Sequence, residues 1–242
     1  RRISYEKNVN SLFPGIITLG PGKQSPTWTG GPTTFKVLGN GFTELEDGTL
    51  VFHGEGAAVT DEVLWSLVGT TWTNSTANAD ITGEVDTCAG VVYINGSYYA
   101  VARDVWLSGA NRRWTFKATS LTGSWAEDYT ALNNEETGDG STQDIAFHFV
   151  SHIDTTIYAA GLRGTVLDVR SRTAGGASST WGNVVLSIEG GGVAPRGFVK
   201  YHDAVGVTDF FLGTKVGLLW IDVSASAARS LHTWRDPSGA YT

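Results

Sequence analysis

Apolar residues along this chain come in short runs, rich in β-branched and aromatic side chains, that stop at Gly, Asn, Asp or Ser after about four positions. That pattern predicts strands, since a helix would repeat its apolar positions every three to four residues over a longer stretch. Three such runs recur in a fixed order. The first is Phe42-Thr43-Glu44-Leu45, then Gly90-Val91-Val92-Tyr93, Ile145-Ala146-Phe147-His148-Phe149 and Gly197-Phe198-Val199-Lys200-Tyr201. The second is Thr49-Leu50-Val51-Phe52, then Ser97-Tyr98-Tyr99-Ala100, Thr156-Ile157-Tyr158-Ala159 and Asp209-Phe210-Phe211-Leu212. The third is Val63-Leu64-Trp65, then Trp114-Thr115-Phe116, Val166-Leu167 and Leu218-Leu219-Trp220. Each trio ends in a small or polar residue followed by Trp: Thr71-Trp72, Ser124-Trp125, Thr180-Trp181 and Thr233-Trp234, with Thr27-Trp28 ahead of them. Asp47-Gly48 and Asn95-Gly96 join first to second runs and supply the positive φ of tight hairpins. Each unit therefore reads as a four-stranded antiparallel meander whose last strand is marked by Trp.

Meanders repeated at this interval predict an all-β fold, a β-propeller. Five blades are expected in a single domain: a partial one over 1–40, then 41–77, 88–130, 144–188 and 196–242, or else an arc of a larger propeller. The partial blade has candidate strands at Ile3-Ser4-Tyr5, Ile16-Ile17-Thr18-Leu19 and around Phe35. The tryptophans are expected to wedge blade against blade as core residues.

Composition narrows the functional classes. With 17 basic and 24 acidic residues the net charge is −7, which disfavours nucleic acid and anionic membranes as partners. The most apolar stretch, Phe210 to Val223, is broken by Lys215 and Asp222, so no membrane insertion is expected. A lone Cys88 predicts a buried thiol and no disulfide or zinc site. The chain begins Arg1-Arg2-Ile3-Ser4 and has no methionine, which predicts a processed product or a piece of something longer.

Two family resemblances come from the turns before the tryptophans. Ser66-Leu67-Val68-Gly69-Thr70-Thr71-Trp72 resembles the Asp-box or BNR repeat of sialidase-like propellers, in a degenerate form that lacks the repeat's Asp. Ala118-Thr119-Ser120-Leu121-Thr122-Gly123-Ser124-Trp125, after Tyr98-Tyr99, resembles a structural motif of five-bladed furanosidase and xylosidase propellers. The first resemblance implies a propeller of the kind frequent in phage tail and receptor-binding proteins, hence an extracellular or virion location. Sialidase chemistry is not implied, because Arg2-Ile3-Ser4 stands where that family has Arg-Ile-Pro.

The loops leading into the innermost strands, Thr73 to Ala89, Ala126 to Asp144 and Gly182 to Arg196, are longer than the hairpin turns and so mark the expected functional face. At that mouth the repeat brings together Asp86, Asp144 and Arg196 with Glu55, Arg103, Arg163 and Lys215, the last four at matching positions after the second strands. Three of those last four are cationic, a set that would focus a carboxylate, sulfate or polar glycan, or consist of solvated loop charges paired with neighbours such as Asp104. Trp106 and Tyr129, outside the repeat pattern, are candidate aromatics for stacking on a sugar or anchoring a protein. If the chain were a glycoside hydrolase, Asp86, Asp144 and Glu55 would be its candidate carboxyls.

His148 and His152 have ligand-like spacing but read as core or surface histidines, and the acidic loop Glu135 to Gly140 reads as a solvated turn. No metal or cofactor is expected. The expected function is a non-catalytic propeller that binds a glycan or a cell-surface receptor, with a homo-oligomer among the partner states left open. A glycoside hydrolase and a structural assembly component beside neighbouring virion subunits are the alternatives.

Overall fold

A computed structural model of the chain describes residues 9–13, 16–19, 29–30, 35–56, 64–74, 87–104, 112–128, 145–175, 181, 183–188, 195–202, 208–214, 217–224 and 227–233. Described elements are all strands. Three short ones come first, β1 (Val9–Phe13), β2 (Ile16–Leu19) and β3 (Thr29–Gly30). The first complete blade is β4 (Phe35–Glu44), β5 (Leu50–Gly56), β6 (Leu64–Val68) and β7 (Thr71–Asn74). The second is β8 (Thr87–Ile94), β9 (Ser97–Asp104), β10 (Arg112–Ala118) and β11 (Ala126–Glu127). β12 (Ile145–Ile153), β13 (Thr156–Arg163), β14 (Val166–Thr173) and β15 (Asn183–Ile188) make the third. β16 (Pro195–His202), β17 (Thr208–Thr214), β18 (Gly217–Asp222) and β19 (Ala227–Thr233) make the fourth. Within every blade consecutive strands pair antiparallel, and one bridge, Glu55 to Thr87, links the first two blades.

The innermost strands lie side by side, β8 against β12 and β12 against β16, and β12 also reaches β4 beyond β8. This arrangement of four-stranded meanders around an axis is a β-propeller, the architecture the repeats predict. Close packing at the axis restricts side chains. A Cβ on Gly90 would stand 3.1 Å from Cβ of Val150 on the neighbouring blade.

Among the described residues, apolar burial falls into three layers, each between two blades. Val51 and Leu64 of the first blade meet Cys88, Val91, Ala100 and Trp125 of the second. Ala89, Val92, Tyr99 and Val101 meet Phe147, Ile157, Ala159 and Trp181 of the third. Tyr158, Ala160 and Val169 meet Phe198, Phe210, Leu212 and Ile221 of the fourth. Successive residues of β8, β9 and β13 thus go to opposite layers, as the twofold side-chain period requires. A strand covered on both faces becomes an almost unbroken apolar run, which is why Cys88 to Ile94 reads as it does.

Trp125 and Trp181, 1% and 0% exposed, wedge blades together as expected. The Trp125 indole also donates to the carbonyl of Leu121 at 3.3 Å, closing the turn in which the amide of Gly123 donates to Ser120. Trp72 behaves differently. It is only half-buried and meets Phe52 of its own blade edge-on. Trp28 and Trp234 lie outside the described residues.

Buried polar groups tie the sheets further. Asp168 accepts from Arg170 at 3.2 Å and from the Ser187 hydroxyl, while Arg170 also donates to the Trp181 carbonyl at 3.3 Å. Asp128 joins the second blade to the third by pairing with Arg172 at 3.0 Å and accepting from the Gly175 amide at 2.9 Å.

Three expectations change. The strand around Phe35 is the start of β4, because the turn-like Leu38-Gly39-Asn40-Gly41 is absorbed as an irregularity between Lys36 and Gly41 instead of ending the strand. Residues 183–188 of the supposed long loop from Gly182 to Arg196 form β15, with Val184, Val185 and Leu186 as its apolar centre. The N-terminal region holds β1, at Val9–Phe13, and sends β3 to the outer edge of the first complete blade, where it pairs in parallel with β7. Gly30 makes that contact possible. Its φ is +75°, and a Cβ there would stand 2.5 Å from the Trp72 carbonyl oxygen. Ile3-Ser4-Tyr5 lies outside the described residues.

Candidate functional site

The axis has two ends, here termed the loop rim and the hairpin rim. At the loop rim each innermost strand begins beside the end of its second strand: Lys36 opposite Glu55, Thr87 opposite Arg103, Ile145 opposite Arg163 and Pro195 opposite Thr214. Glu55, Arg103 and Arg163 therefore occupy equivalent backbone positions, with Thr214 one residue short of Lys215 at the fourth. Arg196 is exposed near the start of β16. Asp86, Asp144, Trp106, Tyr129 and Lys215 lie outside the described residues.

The same end carries a feature that sequence reasoning missed. All four innermost strands lose register near their starts: between Lys36 and Gly41, Cys88 and Gly90, Phe147 and Phe149, and Pro195 and Gly197. Bulges bend a strand and re-aim the side chain of the extra residue, and they concentrate at barrel rims and beside active sites. In the fourth blade that extra residue is Arg196. A glycine follows the irregularity in three of the four strands, at Gly41, Gly90 and Gly197, and this was the signal available.

Two titratable residues just inside the loop rim belong to the core. His53 is 3% exposed, with Nδ1 3.3 Å from the Cys88 carbonyl oxygen and Nε2 3.4 Å from the Thr43 hydroxyl. A carbonyl can only accept, so Nδ1 carries the proton and Nε2 accepts from Thr43. Burial holds the pKa of His53 down to about 4, so the ring is neutral at pH 7. Burial likewise pushes the Cys88 thiol up to about 12, and its Sγ–H points to the Gly90 carbonyl. This is the inert thiol expected.

The hairpin rim holds a polar cavity of about 550 Å³, lined by Glu46, Tyr93, Ile94, Asn95, Gly96, His152, Asp154, Thr155 and Lys200. All four complete blades contribute, as only positions near the axis can. Lys200 donates to the Glu46 carboxylate at 2.6 Å, and His152 Nε2 stands 3.1 Å from the same oxygen. The hydrogen bond from Lys200 is the main reason the Glu46 carboxyl sits below its usual range. His152 is buried and its Nδ1 lies 3.1 Å from the Asp154 carbonyl oxygen. His148 lies at the register shift of the same strand, β12. Among the described residues no group of three or more His, Cys, Asp or Glu is arranged to hold a metal ion, and no helix is long and apolar enough to cross a membrane.

No protein-family model matches the chain. No curated protein matches it either. Among solved structures it is similar to an exo-beta-1,3-galactanase from Phanerochaete chrysosporium with galactose, at TM-score 0.52 and 16% identity over 84% of this chain and 52% of that one. Others are the Bacteroides ovatus xyloglucan PUL protein GH43B, at TM-score 0.46 and 12% identity over 75% of this chain and 38% of that one, and the extracellular domain of a one-component system from B. thetaiotaomicron, at 0.35 and 10% over 86% and 32%. This chain thus spans about half the length of the galactanase structure it resembles, and the likeness is one of fold.

Proposed function

We propose that the chain is a non-catalytic binding propeller that recognises a glycan or a glycosylated receptor through its loop rim, outside the cell, as part of a virion or phage tail. The observation that carries the binding site is the repeat register, which sets Arg103 and Arg163 at equivalent positions on one rim with Arg196 beside them. Arginine positions at one end of the axis in a chain of net charge −7 would favour an acidic glycan there, since bidentate Arg pairs with carboxylate or sulfate are strong and directional. Trp106 and Tyr129 would supply stacking surface, and Lys215 a further cation. The virion assignment rests on the degenerate Asp-box resemblance, and neighbouring virion subunits are the other partners it implies.

A second reading, glycoside hydrolysis, is favoured by the fold likeness to a galactanase. It would use Asp86, Asp144 and Glu55, two of which must flank the scissile bond. One experiment separates the readings: a glycan array read for binding and, in parallel, for release of reducing sugar. Binding of sulfated or uronic-acid glycans that falls about tenfold or more in Arg103→Ala with Arg163→Ala, without sugar release, supports the first reading. Release abolished by Asp144→Asn replaces it with the second. Neither binding nor release by the intact protein rejects both.

A further inference from the structure

We propose that the cavity at the hairpin rim is a separate saccharide site that takes a neutral sugar of one or two units. It lies at the opposite end of the axis from the cationic rim and stands independently of that reading. Its volume of about 550 Å³ falls within the range of roughly 300–1,000 Å³ found for small-ligand pockets.

Charge selects the ligand class. Glu46 and Lys200 neutralise each other at 2.6 Å, so an incoming anion meets the remaining carboxylate of Asp154. An anion therefore has no free counter-charge there to offset its desolvation. A neutral polyol faces no such penalty. Its hydroxyls both donate and accept, and the lining offers both kinds of partner: carboxylates at Glu46 and Asp154, a carboxamide at Asn95, an ammonium at Lys200 and a hydroxyl at Thr155.

The site is also built on tight turns and has an aromatic ring in its lining. Asn95 and Asp154, each with φ of 49°, turn two neighbouring hairpins of the lining in the left-handed conformation. Tyr93 packs its ring 4.9 Å from that of Tyr98, whose hydroxyl is fixed on Asp47. An aromatic ring beside planar polar groups suits a pyranose, which has apolar C–H faces and a polar rim.

The test uses the intact chain with galactose, lactose and xylobiose as neutral probes and glucuronic acid as a charged one, read by saturation-transfer NMR and calorimetry. At least one neutral probe should bind with a Kd near or below about 10 mM, and glucuronic acid should bind more weakly. Thr155→Trp, at an exposed position where the new ring fills the cavity, should weaken binding at least about tenfold. Asp154→Asn, which keeps a residue tolerant of the left-handed turn, should weaken it severalfold. The proposal is overturned if no neutral probe binds, if a charged probe binds more tightly than every neutral one, or if binding survives Thr155→Trp and is lost only in Arg196→Ala.

Discussion

His53 makes the acid sensitivity of this fold calculable. The ring is 3% exposed, donates to the Cys88 carbonyl of the neighbouring blade, and accepts from Thr43. Protonation would place a cation between two sheets, so burial lowers the pKa from 6.5 to about 4. The unfolded chain takes up this proton as the pH falls below 6.5, while the native chain refuses it until about 4. Between those values the unfolded state binds more protons, so stability must fall with falling pH. Above 6.5 this residue contributes no slope, and below about 4 the loss is complete. At about 1.4 kcal/mol per pH unit the window corresponds to roughly 3 kcal/mol. Urea unfolding of the wild type and of His53→Gln, from neutral pH down to about pH 4, isolates the effect, because carboxylate protonation is common to both. The wild type should lose about 3 kcal/mol more than the variant across the window. Parallel stability curves would refute the argument, as would an NMR titration that found the His53 ring protonating near 6.5.

The other predictions concern the layers between blades. Trp181→Ala removes a fully buried ring packed 4.9 Å from Phe147 and should cost about 3–5 kcal/mol in urea unfolding. A loss under about 1 kcal/mol would contradict its wedge role. Cys88, 1% exposed with its thiol pushed up to about 12, should resist a thiol-specific reagent in the native state and react once urea unfolds the chain. Labelling of native protein at the rate of a free cysteine would show that the layer is open.

Strands and hairpins were legible because their cues are local. Asp47-Gly48 and Asn95-Gly96 announce turns, and Gly48, Asn95 and Gly96 have the positive φ those turns need. The rim positions were legible because equal places in repeated hairpins must come to the same end of the axis, as Arg103 and Arg163 do. What escaped depends on distance or on very short pairing. β3 contributes two residues to a parallel ladder, too few for a period to appear. β15 was hidden by taking Trp181 as the core of the last strand, although Trp181 stands just ahead of it. The hairpin-rim cavity joins Glu46 to Lys200 across 154 residues, and nothing near either residue signals the other.

The division of apolar burial among the described residues into three slabs bears on how the molecule comes apart. A sheet clamped on both sides cannot loosen without disturbing two neighbours, whereas one clamped on a single side can, so opening in such stacked arrays is governed by nearest-neighbour coupling. The second and third blades are doubly clamped. The fourth buries Phe198 and Phe210 against its predecessor yet leaves Val199 63% and Tyr201 45% exposed on the reverse. The sheets that carry Trp125 and Trp181 are the doubly clamped ones, so neither can loosen without disturbing the layer on each of its faces.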